Sequence, residues 1–324
     1  MNREVNGNTG VDGNTAVYGV IGNPVGHSFS PQIHGYLAEL CGLNMAYMPF
    51  CVSDHLVQDA ICGAYALGIK GLNVTVPHKK AVMSHIVDID DMARQIDAVN
   101  TLVWTKGGYK GYNTDHIGID RTIADLGMTF SERTVAIIGA GGSAYAAGVA
   151  AAKGKARHIV ILNRTQENAR LLALHINRHY NTPVTFSNLD GQVLNGQVLD
   201  EQVDIVIQTT TVGFGQAVGK SPVAPGFFKG VQLAFDIIYT PWETEFLRLA
   251  KSLGFPLVTN GFPMLVHQAV AAFNLWHGGI LEGIIHDKHD KNDRHDKHDK
   301  RDKRDKKMET HIKTLEGQFR LYSG

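Results

Sequence analysis

The run Gly139-Ala140-Gly141-Gly142-Ser143-Ala144 stands between the apolar stretch Val135–Ile138 and the alanine-rich stretch Ala144–Ala152. In that setting G-x-G-x-x-A has a physical use. Gly139 permits a tight turn, Gly141 lets backbone approach a pyrophosphate, and Ala144 allows a helix to pack closely. The N–H groups and dipole at the start of that helix then favour phosphate. Glycine turns also join strands to helices for purely structural reasons, so it is the strand-loop-helix context that points to a dinucleotide. At the end of the following strand a carboxylate would accept hydrogen bonds from a ribose diol. The chain reads Leu162-Asn163-Arg164-Thr165 instead. A guanidinium beside amide and hydroxyl donors suits a 2′-phosphate, which a carboxylate would repel, so the expected cofactor is NADP (NADPH/NADP+). The alternative is an ordinary solvated loop.

Three further segments place polar side chains at strand ends. Ser28 and Ser30 stand two residues apart just before Pro31 and a helix start. Hydroxyls and helix N–H groups there can hold a carboxylate, although Ser30 can equally serve only as an N-cap. Asn73 and Thr75 share one face of a strand, and Lys79 follows just beyond Pro77. Asn100 lies in Ala98-Val99-Asn100-Thr101, and Asp115 closes Tyr112-Asn113-Thr114-Asp115. An amide, a hydroxyl, an amine and a carboxylate at strand ends suit a polyhydroxylated substrate and a proton transfer. Each also has a plainer use: Asn and Thr close turns, a Lys at a helix start is a solvated cation, and Asp115 caps a helix.

The elements that must carry these residues alternate between β-branched runs and helical patterns, which predicts α/β layers with a largely parallel sheet. Strand Ala16–Ile21 leads to a helix from Ser30 to Gly42, strand Ala46–Val52, a helix over Asp54–Leu67, strand Ile69–Val76 and a helix beginning near Lys79. Ala98–Trp104 and Tyr109–Tyr112 read as a hairpin around Lys106-Gly107-Gly108. A helix over Asp115–Leu126 opens a second unit with strands at Val135–Gly139, Ile159–Leu162, Pro183–Phe186, Ile205–Gln208, Leu233–Ile237 and Pro256–Val258, followed by a long helix over Met264–Leu281.

In this order the segments resemble the shikimate dehydrogenase family, including quinate/shikimate dehydrogenases, from Tyr18 to about Gly278. The likeness is carried by His27-Ser28-x-Ser30-Pro31, Asn73-Val74-Thr75-x-Pro77-x-Lys79, Asp97-Ala98-Val99-Asn100-Thr101, Asn113-Thr114-Asp115, Gly139-x-Gly141-Gly142 and Asn163-Arg164-Thr165. It continues through Asp236-Ile237-Ile238-Tyr239-x-Pro241-x-x-Thr244, Gly261-x-x-Met264-Leu265-x-x-Gln268 and Ala272-Phe273-x-x-Trp276. The resemblance implies reversible, NADPH-dependent reduction of 3-dehydroshikimate to shikimate in aromatic amino-acid (chorismate) biosynthesis. It implies an N-terminal α/β substrate-binding domain with a mixed sheet and a C-terminal Rossmann NADP-binding domain flanking a cleft. Residues 16–114, completed by the helix at about 264–284, would form the first, and 115–263 the second. It further implies that Ser28 and Ser30 hold the substrate carboxylate with Tyr239 nearby, and that Asn73, Thr75, Asn100, Asp115 and Gln268 bind ring hydroxyls. Lys79 would be catalytic, paired with Asp115. The cofactor would meet Gly139, Gly141, Gly142, Ser143, Ala144, Asn163, Arg164, Thr165, Thr210 and Gly261.

Some positions depart from the family pattern. Tyr145 stands where many relatives carry a basic residue, His116 replaces a glycine after Asp115, and Phe214 replaces a methionine beside the expected hydride path. Two rivals follow: an enzyme preferring quinate, and an idle NADP-binding regulator.

Composition bounds the rest. The 324 residues, 44% hydrophobic, suffice for about two domains. The longest apolar-plus-glycine run, Ala60–Ile69, is far shorter than the roughly 20 residues that span a bilayer, so no membrane partner is expected. The first 15 residues lack a signal pattern and read as a flexible tail of a cytoplasmic protein. Three cysteines, Cys41, Cys51 and Cys62, read as reduced thiols buried as small hydrophobes. The 31 basic and 31 acidic residues are unevenly spread, because segment 286–307 repeats a basic-Asp-basic triplet, yet no part is basic enough for nucleic acid. That segment reads as solvated and low in complexity. Its histidines, paired three residues apart, could hold a divalent metal weakly if the segment were helical, but their lysine neighbours oppose a cation site and no metal is expected. Residues 308–324 hold enough apolar side chains for a short docking helix. The expected partners are the small-molecule substrate alone, in a monomer or homodimer.

Overall fold

The computed structural model describes residues 11–189, 202–228 and 230–281, with positions 315 and 317. The charged segment 286–307 lies outside them. The described chain divides into two compact units. The first takes the residues up to Asp90, Val99–Tyr112 and the stretch from Ala272; the second takes Asp91–Ala98 and Asn113–Ala271.

In the first unit, strands β1 (Ala16–Gly22), β2 (Met45–Cys51), β3 (Gly71–Val74), β4 (Asp88–Ile89), β5 (Thr101–Thr105) and β6 (Gly108–Tyr112) form one sheet in the order β2-β1-β3-β5-β6-β4. The sheet is mixed: β1 runs parallel to β2 and β3, while β5 is antiparallel to β3 and β6. Helices α1 (Ser30–Cys41) and α2 (Val57–Ala66) return the chain between parallel strands. Ile33, His34, Leu37 and Ala38 form the buried face of α1, at the spacing of a single helical stripe. Lys106-Gly107 turns the β5–β6 hairpin, with Thr105 paired to Gly108, where the sequence predicts it.

The second unit has strands β7 (Thr134–Ile138), β8 (His158–Asn163), β9 (Val184–Asn188), β10 (Ile205–Gln208), β11 (Leu233–Asp236) and β12 (Leu257–Thr259). Its sheet is wholly parallel, in the order β12-β11-β10-β7-β8-β9. β7, β10 and β11 are buried along their whole length, which is why they read as continuous apolar runs rather than alternating ones. Helices α3 (Asp91–Ile96), α4 (Asp115–Asp125), α5 (Gly142–Lys153), α6 (Gln166–His179) and α7 (Glu245–Ser252) belong to this unit. The last helix, α8 (Phe262–Trp276), begins in it and ends in the first. Every residue of Ala144–Ala152 on α5 is buried, so small side chains seat that helix on the sheet.

Several expectations are corrected. No α-helix begins near Lys79. A turn leads instead to a short 3₁₀ segment at Ala81–His85, because the Lys79 carbonyl accepts the Val99 N–H (2.8 Å) and is lost to a helical ladder. The six-residue α3 and two-residue β4 are too short to show periodicity and were not foreseen. The final helix runs Phe262–Trp276, not Met264–Leu281. The cysteines are not core fillers: Cys41 is half-buried, while Cys51, ending an edge strand, and Cys62, on α2, are exposed. From Asp12 the segment expected as a flexible tail is tied down, since Asp12 Oδ1 accepts from Asn14 N–H (2.9 Å), Thr15 Oγ1 (3.0 Å) and Asn44 Nδ2 (3.1 Å). Among the described residues no helix is long and apolar enough to cross a membrane.

Candidate active site

Ser28, Ser30, Asn73, Thr75, Lys79 and Asn100 fall in the first unit; Asp115, Tyr239, Gln268 and the whole expected cofactor set fall in the second. In the first unit β1 and β3 lie side by side, with Val20 opposite Asn73. The backbone continues this pairing, as Thr75 N–H donates to the Ile21 carbonyl (2.9 Å). Ser28 Oγ donates to Ser30 Oγ (3.1 Å) and accepts the Ser30 N–H (3.2 Å), so both hydroxyls sit at the start of α1. Ser30 is not the N-cap. Phe29 takes that position and no side chain caps the helix.

Asn73 and Asn100 are both buried. Asn73 Oδ1 accepts the Tyr47 hydroxyl (2.7 Å), while Asn73 Nδ2 donates to the Asn100 carbonyl (3.3 Å) and Thr101 Oγ1 (3.2 Å). Thr101 Oγ1 in turn donates to Asn100 Oδ1 (2.9 Å). Lys79 is half-buried on the turn after β3. Its neighbour His78 is almost fully enclosed and donates from Nε2 to the Val52 carbonyl (2.7 Å), which anchors the turn. Sequence reasoning assigned no role to His78, Tyr47 or Thr101, because a histidine beside a proline and an aromatic or Thr in a strand look like ordinary packing.

In the second unit Thr114 caps α4, and Asp115 is its first residue, buried, with its N–H bonded to Asn113 Oδ1 (3.0 Å). Asn113 Nδ2 reaches the Ala98 carbonyl (2.9 Å), which holds this strand-to-helix corner. Gln268 on α8 faces the same corner: its Oε1 lies 3.5 Å from the Thr114 hydroxyl, and its Nε2 donates to the Leu265 carbonyl (2.8 Å). Tyr239 is half-buried on the loop after β11. That loop is fixed by Asp236, whose carboxyl accepts from Thr244 Oγ1 (2.6 Å) and Ile238 N–H (3.0 Å). Burial pushes Asp236 up to about 7 despite these two bonds. A Cβ at Gly261 would fall on the Ile237 carbonyl, so only glycine fits there.

The glycine loop lies where the strand order of the parallel sheet reverses, between β7 and β10, the usual crevice for a nucleotide in such sheets. Gly139 has φ +116°, and a Cβ on it would meet Thr209 Oγ1 at 2.5 Å, so the turn requires glycine on both counts. A Cβ on Gly141 would meet no protein atom within 4 Å, which leaves that face open to a ligand. Gly142, Ser143 and Ala144 open α5, whose first-turn N–H groups have no acceptor within the helix. Thr165 caps α6 by backbone only, and Asn163 Nδ2 bonds the Thr165 carbonyl (2.9 Å) beside the exposed Arg164. These residues therefore fit a pyrophosphate on the helix start and a further phosphate at the β8 end. Thr210 is part of a self-bonded loop: its N–H reaches Gln208 Oε1 (2.7 Å) and its Oγ1 accepts Val212 N–H (3.1 Å). Phe214, at the end of that loop, is exposed.

Two family models match the chain. Residues 20–102 match the shikimate dehydrogenase substrate binding domain, and residues 122–216 match shikimate / quinate 5-dehydrogenase. A shikimate dehydrogenase (NADP(+)) of Caldanaerobacter subterraneus subsp. tengcongensis is 39% identical over 269 residues, 83% of this chain and 94% of the relative. Among solved structures, the shikimate 5-dehydrogenase of Listeria monocytogenes in complex with shikimate and NAD superposes with TM-score 0.75 at 27% identity, covering 83% of this chain and 93% of that one. The shikimate 5-dehydrogenase of Thermus thermophilus in complex with NADP(H) and shikimate gives TM-score 0.71 at 27% identity, covering 83% and 98%.

Proposed function

Because this chain belongs to the shikimate dehydrogenase family, we infer that it interconverts 3-dehydroshikimate and shikimate with NADP(H). The observation that carries this reading is the likeness to a shikimate dehydrogenase (NADP(+)) over 269 residues, 83% of this chain, with a family model matched in each unit. When bound, NADPH supplies a hydride to the ketone carbon. The carbonyl oxygen gains negative charge as the hydride arrives and needs a proton to become the hydroxyl. Lys79 holds that proton in reduction and receives it in oxidation. The anchored turn around His78 supports this role, because it limits where the amine can go. Asp115, fixed at the start of α4, binds a substrate hydroxyl. Ser28 and Ser30 hold the carboxylate with Tyr239, and Asn73, Thr75, Asn100 and Gln268 bind the remaining ring hydroxyls. The second unit orients the dinucleotide through the Gly139–Ala144 loop and Thr210, Gly261, Asn163 and Thr165, with Arg164 on the 2′-phosphate.

Initial rates with shikimate and quinate, each with NADP+ and NAD+, test this reading. Shikimate with NADP+ should be the fastest pair, and no turnover despite tight cofactor binding would instead indicate a regulator. Lys79→Ala should lower turnover by orders of magnitude while NADP+ binding persists; near-normal turnover would remove Lys79 from the mechanism. The exposed thiols of Cys51 and Cys62 fit a reducing, cytoplasmic setting. A monomer or homodimer is the assembly to be checked by sedimentation.

A further inference from the structure

Tyr47 lies on β2 with its ring enclosed, stacked on His34 at 4.4 Å and 10° and tilted against Trp276 at 6.2 Å. Its hydroxyl donates to Asn73 Oδ1 at 2.7 Å. That bond has a directional consequence, because an amide can carry its oxygen and nitrogen in either of two orientations of nearly the same shape. With the oxygen held by Tyr47, the nitrogen of Asn73 must face Thr101 Oγ1 and the Asn100 carbonyl, as it does at 3.2 and 3.3 Å. A hydroxyl that accepts on one side sends its proton onward, and Thr101 sends its own to Asn100 Oδ1 at 2.9 Å. The Asn100 amide nitrogen is thereby turned to the side away from Thr101.

We propose that Tyr47 and Thr101 are positioning residues of the substrate site. The one-way hydrogen-bond chain from Tyr47 through Asn73 and Thr101 to Asn100 fixes which face of each amide donates and which accepts toward the substrate's ring hydroxyls. The proposal rests on the reading of Asn73 and Asn100 as substrate-binding residues. Burial keeps the Tyr47 hydroxyl protonated, well above the ordinary tyrosine value, with the Ser30 hydroxyl opposing that rise. Burial likewise holds the stacked His34 down to about 3, with Asn73 opposing. Neither ring changes charge over the working pH range, so the polarity of the chain is constant.

Steady-state kinetics on the full chain decides this. Tyr47→Phe keeps the ring and removes the first donor, and Thr101→Val keeps the shape and breaks the middle. Each should raise KM for shikimate about tenfold, the scale of one buried hydrogen bond lost with its partner left unsatisfied. KM for NADP+ should stay unchanged and kcat should fall much less than KM rises. The double variant should be no worse than either single one, since one break releases the whole chain. Thr101→Ser restores the hydroxyl and should return KM for shikimate to near the wild-type value. Unchanged shikimate KM in both single variants, a parallel rise in the NADP+ KM, or single effects that multiply in the double variant would each overturn the proposal alone. Failure of the wild-type chain to oxidise shikimate would overturn the family activity and this inference with it.

Discussion

Asp236 ends β11 with no exposed surface, and its two donors, Thr244 Oγ1 and Ile238 N–H, do not offset the loss of water around a carboxylate. Its pKa rises from 3.8 to about 7, chiefly through burial. Since the folded value lies above the unfolded one, proton binding favours the folded chain. The contribution is complete below the unfolded value, shrinks as pH rises, and is gone above the folded value. A shift of this size corresponds to about 4 kcal/mol. Asp236→Asn is neutral at every pH, and its single amide oxygen can keep the Ile238 N–H bond while the Thr244 O–H loses its acceptor. Beneath that constant cost, thermal melts of the two proteins should diverge with pH, the wild type losing stability relative to the variant between pH 4 and 7. A pH-independent difference in melting temperature would refute the assignment. Other single residues show what sequence alone could not convey. Tyr145, just after the glycine loop, has its ring buried 5.0 Å from His175, so it contributes packing to α5. The polar candidates Asn73, Thr75 and Asn100 stand out in the sequence because their spacing places them at strand ends. Tyr47 was not, because an aromatic in a strand has the same sequence appearance whether its hydroxyl works or not.

At the scale of elements, α4 and the first part of α8 carry Asp115 and Gln268, and two features hold these helices together. Gly118 lets them touch: a Cβ there would lie 2.7 Å from the Met264 carbonyl oxygen and 3.2 Å from the Gln268 Cβ. At the far end of α4, Asp125 Oδ2 meets His267 Nε2 at 2.7 Å. Alanine in place of glycine inside an exposed helix gains about 1 kcal/mol from propensity, but a clash with backbone costs about 1–3 kcal/mol. Gly118→Ala should therefore destabilise the protein on balance, and it should lower kcat/KM for shikimate by moving Gln268. An increase in melting temperature with unchanged kinetics would show that the contact is loose. These helices were legible from their 3.6-residue periodicity, and the buried parallel strands from their continuous apolar runs. The turn at Lys79 was not, because a tertiary bond from Val99 N–H claims the carbonyl that a local helix would need. Neither was α3, whose six residues complete fewer than two turns.

At the scale of the whole molecule, cofactor choice becomes a measurable property of folding, because a ligand that binds only the folded chain stabilises it in proportion to its occupancy. The doubly wound sheet and its glycine loop were legible from strand spacing and the G-x-G-x-x-A run, whereas the openness of the loop at Gly141 depends on neighbours distant in sequence. The exposed Arg164 beside the Asn163–Thr165 bond is the group expected to distinguish NADP+ from NAD+. At a concentration one hundred times its Kd, NADP+ should add about 2.7 kcal/mol to the wild-type stability. Loss of one charge-assisted bond is worth about 1.5–3 kcal/mol, so Arg164→Ala should weaken NADP+ binding at least tenfold. At the same concentration the added stability should then fall to about 1.4 kcal/mol or less, a smaller upward shift in melting temperature. NAD+ has no 2′-phosphate for the guanidinium to hold, so its stabilisation should be the same in both proteins. Equal losses for the two dinucleotides would show that Arg164 shapes the loop and reads no phosphate, and the preference for NADP+ would then have to arise elsewhere in the second unit.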